Sequence, residues 1–286
     1  MRTLASLAVT LLLLAACSSG GSSNATTGTH ASRTVYVALG DSYSSGEGAP
    51  PYTASSGPCL RSELGWAARL AKDVSGFASI DHRACSGATT AELTAPWAHR
   101  NLPAQIPTTP DPSVTLVTLT IGGNDLGFGA IVAYCYLLDC SGEPSNGLFK
   151  LGLDQLTKHL VDTVYPALRK AYPNARIVHV GYPRLTPAPG QPLKDCSWLS
   201  TKEQAATQQI VADLDATIRA AAATTSSGPK IEYVDITDAL AGHELCTSSS
   251  WLRPVSLGTT SQAHPTADGQ RAIELGVAHG LGLTAR

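Results

Sequence analysis

The stretch Thr34-Val35-Tyr36-Val37-Ala38-Leu39-Gly40-Asp41-Ser42-Tyr43 joins an apolar, β-branched run directly to a polar turn. Residues 34–39 predict a buried strand, and Gly40 permits a tight turn after it. A serine at this point lies at the mouth of a sheet and usually begins a helix, whose N-terminal positive potential favours developing negative charge. Ser42 is therefore a candidate nucleophile, and the alternative interpretation is that it only caps a helix.

Further strands and helices alternate along the chain. Strands are predicted at 78–82, 114–121, 176–181 and 230–236, and helices at 63–74, 152–171, 202–223 and 266–280. This alternation predicts an α/β fold in which a parallel sheet is covered by helices on both faces. Because ligands in such folds bind beyond the carboxyl ends of the strands, the turns that follow the strands indicate where a site would lie.

Two of these turns offer hydrogen-bond donors. Asn124, in Ile121-Gly122-Gly123-Asn124-Asp125, follows the strand at 114–121, and Gly87, in Ser86-Gly87-Ala88-Thr89, follows the strand at 78–82. Together with the N–H of Ser42, the Asn124 amide and the Gly87 N–H would form an oxyanion hole for acyl transfer. The alternative interpretation is that both segments are simple turns or helix caps.

Acyl transfer also requires a base that titrates near neutrality, which indicates a histidine. His264 follows the last predicted strand and precedes Pro265, a residue that suits the first turn of the final helix. This location places His264 at the same end of the sheet as Ser42, whereas the remaining histidines lack such a context.

Four blocks of the sequence resemble, in order, the SGNH hydrolases, also called GDSL lipases: Gly40-Asp41-Ser42-Tyr43, Gly87, Gly122-Gly123-Asn124-Asp125 and His264-Pro265. The six cysteines after Cys17 and the segment Ser44-Ser45-Gly46-Glu47-Gly48 look like the secreted actinobacterial lipase and esterase branch. The resemblance implies a three-layer α/β/α sandwich with a flavodoxin-like, five-stranded parallel sheet. It also implies Ser42 as nucleophile, His264 as base, an oxyanion hole of Ser42, Gly87 and Asn124, and no metal or cofactor.

One position departs from the family pattern. Ser261 stands where the family usually has an aspartate, three residues before His264. We expect the Ser261 carbonyl to accept a hydrogen bond from Nδ1 of His264 in its place, fixing the tautomer of the ring. The alternative is that another carboxylate reaches the imidazole: Asp235, Asp238 or Asp268. Asp41 is expected to hold the nucleophile loop by bonding backbone.

The cysteines indicate an oxidising compartment. An even number remains once Cys17 is set aside, which predicts three disulfides in an exported chain. Proximity along the chain favours Cys135–Cys140, and the simplest pairs for the rest are Cys59–Cys85 and Cys196–Cys246. A metal site is the competing interpretation, but the spacings lack the paired C-x-x-C pattern of zinc sites.

The N-terminus predicts export. Residues 1–16 combine Arg2 with an apolar run, as signal peptides do. The segment Leu14-Ala15-Ala16-Cys17 resembles the bacterial lipobox, which implies cleavage before Cys17 and lipidation of its sulfur. An ordinary secretory signal is the alternative. Residues 17–33 would then be a flexible tether and 34–286 a single hydrolase domain, outside the cytoplasm as a membrane lipoprotein or a secreted protein.

These observations predict an esterase that hydrolyses carboxylic esters, lipid or phospholipid acyl esters first among them, through an acyl-serine intermediate. A formal net charge of −2 and the lack of a basic cluster argue against a nucleic-acid partner. We expect a monomer that acts on a small-molecule or lipid ester, held at the membrane by its N-terminus. The alternatives are an acetyl-glycan esterase, an acyltransferase and an inactive ligand-binding lipoprotein.

Overall fold

Five parallel strands form the centre of the molecule in the order β2-β1-β3-β4-β5. They are Thr34–Gly40 (β1), Phe77–His82 (β2), Leu116–Thr120 (β3), Arg176–Val180 (β4) and Ile231–Val234 (β5). The computed structural model describes residues 33–142, 147–224, 230–256 and 260–285. The predicted signal peptide and Cys17, and all of the predicted tether but its last residue, lie outside the described residues. The strand order confirms the flavodoxin-like topology.

The four predicted helices are present with shifted ends, and there are three further helices, the first of which begins at Ser42 as expected. The helices of the described residues are Ser42–Ser45 (α1), Trp66–Asp73 (α2), Thr90–Thr94 (α3), Phe128–Leu137 (α4), Gly147–His159 (α5), Tyr165–Ala171 (α6), Thr201–Ala223 (α7) and Ala267–Leu281 (α8). A π-helical turn, Leu160–Val164, joins α5 to α6, so the helix predicted at 152–171 is one long element with an irregular middle. Of the described helices, none combines the length and the apolar character that crossing a bilayer requires.

The core lies on both sides of the sheet. Every residue of β3 is buried, and since successive side chains of a strand point to opposite faces, both faces of this central strand are covered. Helix α2 packs against α8, and α5 packs against α7. The α/β sandwich places the ends of β1 and β3 side by side, because Gly40 pairs with Thr120 across the two strands.

Three disulfides connect the loops: Cys59–Cys85, Cys135–Cys140 and Cys196–Cys246. These are the pairs that the sequence predicted. The first of them holds two turns together at the carboxyl end of the sheet, because the Ser86 N–H donates to the Cys59 carbonyl and the Cys85 N–H donates to the Gly40 carbonyl. It therefore positions the Gly87 turn relative to the end of β1.

The disulfides should differ in their contribution to stability. Cys196 and Cys246 are 50 residues apart, and replacing both with Ala should lower the free energy of unfolding by about 4 kcal/mol. The reason is that removing a cross-link that closes a long loop gives the unfolded chain the largest gain in entropy. The same change at Cys135 and Cys140, which are 5 residues apart, should cost about 2 kcal/mol. Denaturant titration without reductant measures both, and equal losses would contradict this order.

Candidate active site

Ser42 is the first residue of α1 and follows β1 after a one-residue cap. Asp41 caps the helix by accepting a hydrogen bond from the Tyr43 N–H. Gly40 makes the turn possible: its φ is +118°, and a Cβ there would lie 2.1 Å from the Thr120 carbonyl oxygen. The Ser42 N–H accordingly begins a helix and has no hydrogen-bond partner among the described residues. A backbone donor is thus available directly beside the serine hydroxyl.

Asp41 organises the loop that carries the serine. Its carboxylate accepts hydrogen bonds from the Tyr43 N–H at 3.0 Å, the Thr120 hydroxyl at 2.8 Å and the Tyr182 hydroxyl at 2.5 Å. Burial raises the pKa of Asp41 to about 6, and these hydrogen bonds limit the rise. Tyr182 in turn accepts from the Gly123 N–H, so the turn after β1 is joined to the turn after β3. The predicted contact of Asp41 with backbone is present, and it belongs to a larger network.

His264 is held by a backbone carbonyl. Its Nδ1–H donates to the Gln262 carbonyl, with 2.9 Å between the nitrogen and the oxygen. The Ser261 carbonyl was expected in this role, and that expectation is wrong: it accepts the backbone N–H of His264 at 3.2 Å. The backbone conformation explains why Gln262 rather than Ser261 bonds Nδ1: Ser261 and Ala263 adopt left-handed conformations with φ of 60° and 57°. These two residues turn the Gln262 carbonyl toward the ring.

The three aspartates considered as alternatives lie elsewhere. Asp235 pairs with Arg219, and Asp238 pairs with Arg184. Asp268 is exposed in the first turn of α8. None of the hydrogen bonds or ion pairs between described residues joins one of them to the imidazole.

Glu47 is the carboxylate that the sequence analysis missed. Its side chain is buried, and it accepts hydrogen bonds from the Ser86 hydroxyl at 2.5 Å and the Ser261 hydroxyl at 2.9 Å. Its Oε2 lies 3.7 Å from Nε2 of His264. Glu47 therefore links the segments that carry Ser42, Gly87 and His264. The only available signal was a glutamate between two glycines just after the nucleophile block.

Gly48 allows this close approach between the two segments. A Cβ at this position would lie 2.5 Å from the Pro265 carbonyl oxygen and 2.9 Å from Cβ of His264. Distances this short exclude any side chain, so glycine is required at position 48, where the segment after Ser42 contacts the segment of His264.

The predicted oxyanion donors are only partly assembled around the serine. Asn124 lines the same cleft as Ser42, and one of its amide hydrogens donates to the Ala88 carbonyl at 2.9 Å. This contact orients the amide and leaves its second hydrogen for a ligand. Gly87 is not among the residues that line the cleft, although its N–H has no hydrogen-bond partner among the described residues.

The cleft between these groups has a volume of about 290 Å³. Its lining includes the polar side chains of Ser42, Asn124 and His264 and these apolar side chains: Phe128, Val132, Leu185, Val211 and Leu214. None of the hydrogen bonds between described residues joins the Ser42 hydroxyl to the imidazole. Catalytic hydrogen bonds are often long in a free enzyme and shorten when the substrate binds. The described residues contain no cluster of three or more metal-ligating side chains.

Comparison with known proteins identifies the family of this chain. A model of the GDSL-like lipase/acylhydrolase family matches residues 38–272. The chain belongs to the GDSL-like lipase/acylhydrolase family. It is 37% identical over 273 residues to a lipase of Streptomyces rimosus, covering 93% of each chain.

Two solved structures extend the similarity to the fold. The extracellular lipase from Streptomyces rimosus and the phospholipase A1 from Streptomyces albidoflavus NA297 each match with a TM-score of 0.72 and 34% sequence identity. In both cases the match covers 87% of this chain and 98% of the other. The resemblance to the SGNH hydrolases and their actinobacterial branch is thereby confirmed, and the GDSL-family protein is a carboxylic ester hydrolase. Its disulfides indicate an extracytoplasmic location.

The raised pKa of Asp41 predicts a pH-dependent contribution to stability. Burial lifts this pKa from 3.8 to about 6, so between these values the folded GDSL-family protein binds more protons than the unfolded chain. Stability from this group is therefore lost as the pH rises. Between pH 4 and pH 7, the free energy of unfolding of the parent should fall by about 2 kcal/mol more than that of the Asp41→Asn variant, which has no carboxyl at this position. Denaturant titrations of both proteins at the two pH values measure this, and a constant difference would contradict it.

Proposed function

We propose that the protein hydrolyses acyl esters of lipids through an acyl-enzyme formed on Ser42. The observation that carries this proposal is the cleft, whose lining combines a hydroxyl, an imidazole and an amide with several apolar side chains. The polar groups suit the ester carbonyl, and the apolar side chains suit an acyl chain.

His264 is the proposed general base. A carbonyl oxygen can only accept a hydrogen bond, so the contact with Gln262 requires the proton of the neutral ring to sit on Nδ1. Nε2 then carries the lone pair and can take the proton of Ser42. The serine oxygen attacks the ester carbonyl, and the imidazolium returns its proton to the leaving alcohol. A water molecule, deprotonated in the same way, releases the fatty acid.

Charge on the carbonyl oxygen requires preorganised donors. The Ser42 N–H and the second amide hydrogen of Asn124 border the cleft, and we assign them to the oxyanion. The Gly87 N–H is the third proposed donor. Cys59–Cys85 holds its turn near the end of β1, the strand that Ser42 follows. This assignment requires the turn to move on substrate binding so that the N–H reaches the cleft.

Glu47 is proposed as a positioning residue for the histidine. Its carboxylate stands 3.7 Å from Nε2, where positive charge develops when the ring accepts the serine proton. The other titratable and charged groups around this ring are the buried Asp41, the phenol of Tyr43 with its ring 5.5 Å away, and Arg253, which donates to the Gly48 carbonyl. Glu47 thus provides electrostatic stabilisation that the backbone carbonyl at Nδ1 cannot.

Lipid esters are the proposed substrates because the wall of the cleft is apolar and continues into a second, smaller apolar pocket. Phe128, Val132 and Leu185 line both. The similar proteins named as a lipase and a phospholipase A1 support the same class. We further propose that residues 34–286 act as one domain and as a monomer, exported by the signal peptide and anchored through a lipidated Cys17.

Activity on p-nitrophenyl esters of increasing chain length tests the proposed function. Medium or long acyl chains should be preferred over acetyl, because only they fill the apolar wall. Ser42→Ala should lower kcat/KM by about 10⁴-fold or more, with an unchanged circular dichroism spectrum and no labelling by a fluorophosphonate. Activity retained in Ser42→Ala would refute the nucleophile, and a strict preference for acetyl would favour a glycan esterase.

Glu47→Gln tests the role of the buried carboxylate. The amide keeps hydrogen bonds to Ser86 and Ser261 but removes the charge, so kcat/KM should fall by about 10-fold to 100-fold. Because the charged ring is then less favoured, the acid limb of the pH profile of kcat/KM should move to lower pH.

The matched control is Glu203→Gln, another buried carboxylate, which caps α7 away from the cleft. It should leave both the rate and the pH profile unchanged. A fall in rate for Glu47→Gln without any movement of the acid limb would mean that Glu47 has only a structural role.

A further inference from the structure

Helix α4 is an uncharged helix at the rim of the cleft. Its sequence, Phe128-Gly129-Ala130-Ile131-Val132-Ala133-Tyr134-Cys135-Tyr136-Leu137, contains no acidic or basic residue, and the next residue is Leu138. A helix of a soluble domain normally has a polar face toward water. The absence of such a face on α4 requires an explanation.

The two sides of α4 have different surroundings. Phe128 and Val132 line the cleft, and Cys135, one turn further on, is buried in the disulfide with Cys140. The opposite side, which we call the outer face, consists of Ala130, Tyr134 and Leu137, at helical spacing, followed by Leu138. Tyr134, Leu137 and Leu138 are 41%, 61% and 59% exposed.

Most of the large exposed apolar side chains lie on α4 or close to it along the chain. Among the described residues, the large exposed apolar side chains are Tyr134, Leu137, Leu138, Leu148, Leu151 and Leu275. All but Leu275 lie on α4, directly after it or on the first turns of α5. Scattered exposure of single leucines is ordinary, but a concentration beside a ligand cleft marks an interaction surface.

The chemistry of the outer face fits the surface of aggregated lipid better than a protein partner. The outer face has no charged side chain with which to select a protein partner. Its aromatic residue is a tyrosine, which is enriched at the boundary between lipid and water. It is also continuous with the cleft through the same helix, so an acyl chain leaving the lipid would pass from one apolar surface to the next. The Cys135–Cys140 disulfide and the edge-to-face contact of Tyr136 with Trp198 hold the helix in place.

We propose that the outer face of α4 docks on a lipid surface and feeds substrate into the cleft. This inference rests on the proposed function, since it names the physical form in which the ester substrate is presented. Docking by this face is separate from the proposed lipid anchor at Cys17, and it can be measured without that anchor.

Sedimentation with phosphatidylcholine vesicles tests the proposal. The protein is the full chain with Cys17→Ser, which removes the lipidation site, and Ser42→Ala, which prevents hydrolysis of the vesicles. This protein should bind vesicles, and adding Leu137→Asn and Leu138→Asn should weaken binding by about tenfold or more, because two exposed apolar side chains are lost from the contact. Leu275→Asn, on α8, should change binding by less than about twofold, since it replaces an exposed leucine away from the face.

A second measurement separates docking from catalysis. With Ser42 restored, the Leu137→Asn/Leu138→Asn variant should hydrolyse a soluble p-nitrophenyl butyrate at the parent rate but phosphatidylcholine vesicles about tenfold more slowly. Vesicle binding that is absent in the parent, or unchanged by the double substitution, overturns the proposal. So does a concentration-dependent dimer that the double substitution dissociates, because the face would then be covered by a second copy. Vesicle binding without any esterase activity would refute only the proposed function.

Discussion

The hydrogen bond from Nδ1 of His264 to the Gln262 carbonyl is the contact on which the site depends. It determines which nitrogen of the neutral ring can act as a base, and it fixes the orientation of a ring that lines the same cleft as Ser42. A carbonyl can do this without a buried negative charge at Nδ1, and the cost falls on the backbone instead. Two residues that are not glycine, Ser261 and Ala263, occupy left-handed conformations to deliver the oxygen. The Tyr43 hydroxyl secures the same loop by donating to the Ala263 carbonyl.

Two buried carboxylates lie beside Ser42 and His264, and in the proposed mechanism they divide the functions that a single aspartate has in a conventional triad. Asp41 holds the loop that carries Ser42 through three hydrogen bonds, none of which involves His264. Glu47 lies close to Nε2 and also connects the nucleophile loop to Ser86 and Ser261. We thus assign the orientation of the ring to the Gln262 carbonyl at Nδ1. We assign the stabilisation of its positive charge to the Glu47 carboxylate near Nε2.

The sequence was sufficient for the features that depend on local pattern. Alternating strands and helices predicted the sheet, and polar turns after strands predicted which residues would lie at its carboxyl edge. Cysteine spacing predicted the three pairs. Helix α4 was missed because it is apolar all round, so it lacks the periodicity by which an amphipathic helix is recognised. The short helix α3 was missed because five residues are too few to show a period.

The details of the site that were missed depend on tertiary contacts. Whether Ser261 or Gln262 presents its carbonyl to His264 is decided by left-handed backbone at two ordinary residues, which no propensity predicts. In the sequence, Glu47 is only a glutamate five residues after Ser42. Its closeness to His264 arises from the tertiary contact at Gly48, which brings the segment of His264 against it. Gly87 shows the opposite case, since the motif predicted a donor in the cleft and the structure places its turn outside the lining.

In the proposed mechanism, Nε2 of His264 takes the proton of the Ser42 hydroxyl while the Gln262 carbonyl holds Nδ1. A crystal structure of the enzyme inactivated by an alkyl phosphonate tests it most directly, because the phosphorus mimics the tetrahedral intermediate. We expect phosphorus bonded to the Ser42 oxygen, Nε2 within hydrogen-bond distance of an oxygen on that phosphorus, and Nδ1 still hydrogen-bonded to the Gln262 carbonyl. Phosphorus on any other residue, or a His264 ring turned away from the adduct, would contradict it.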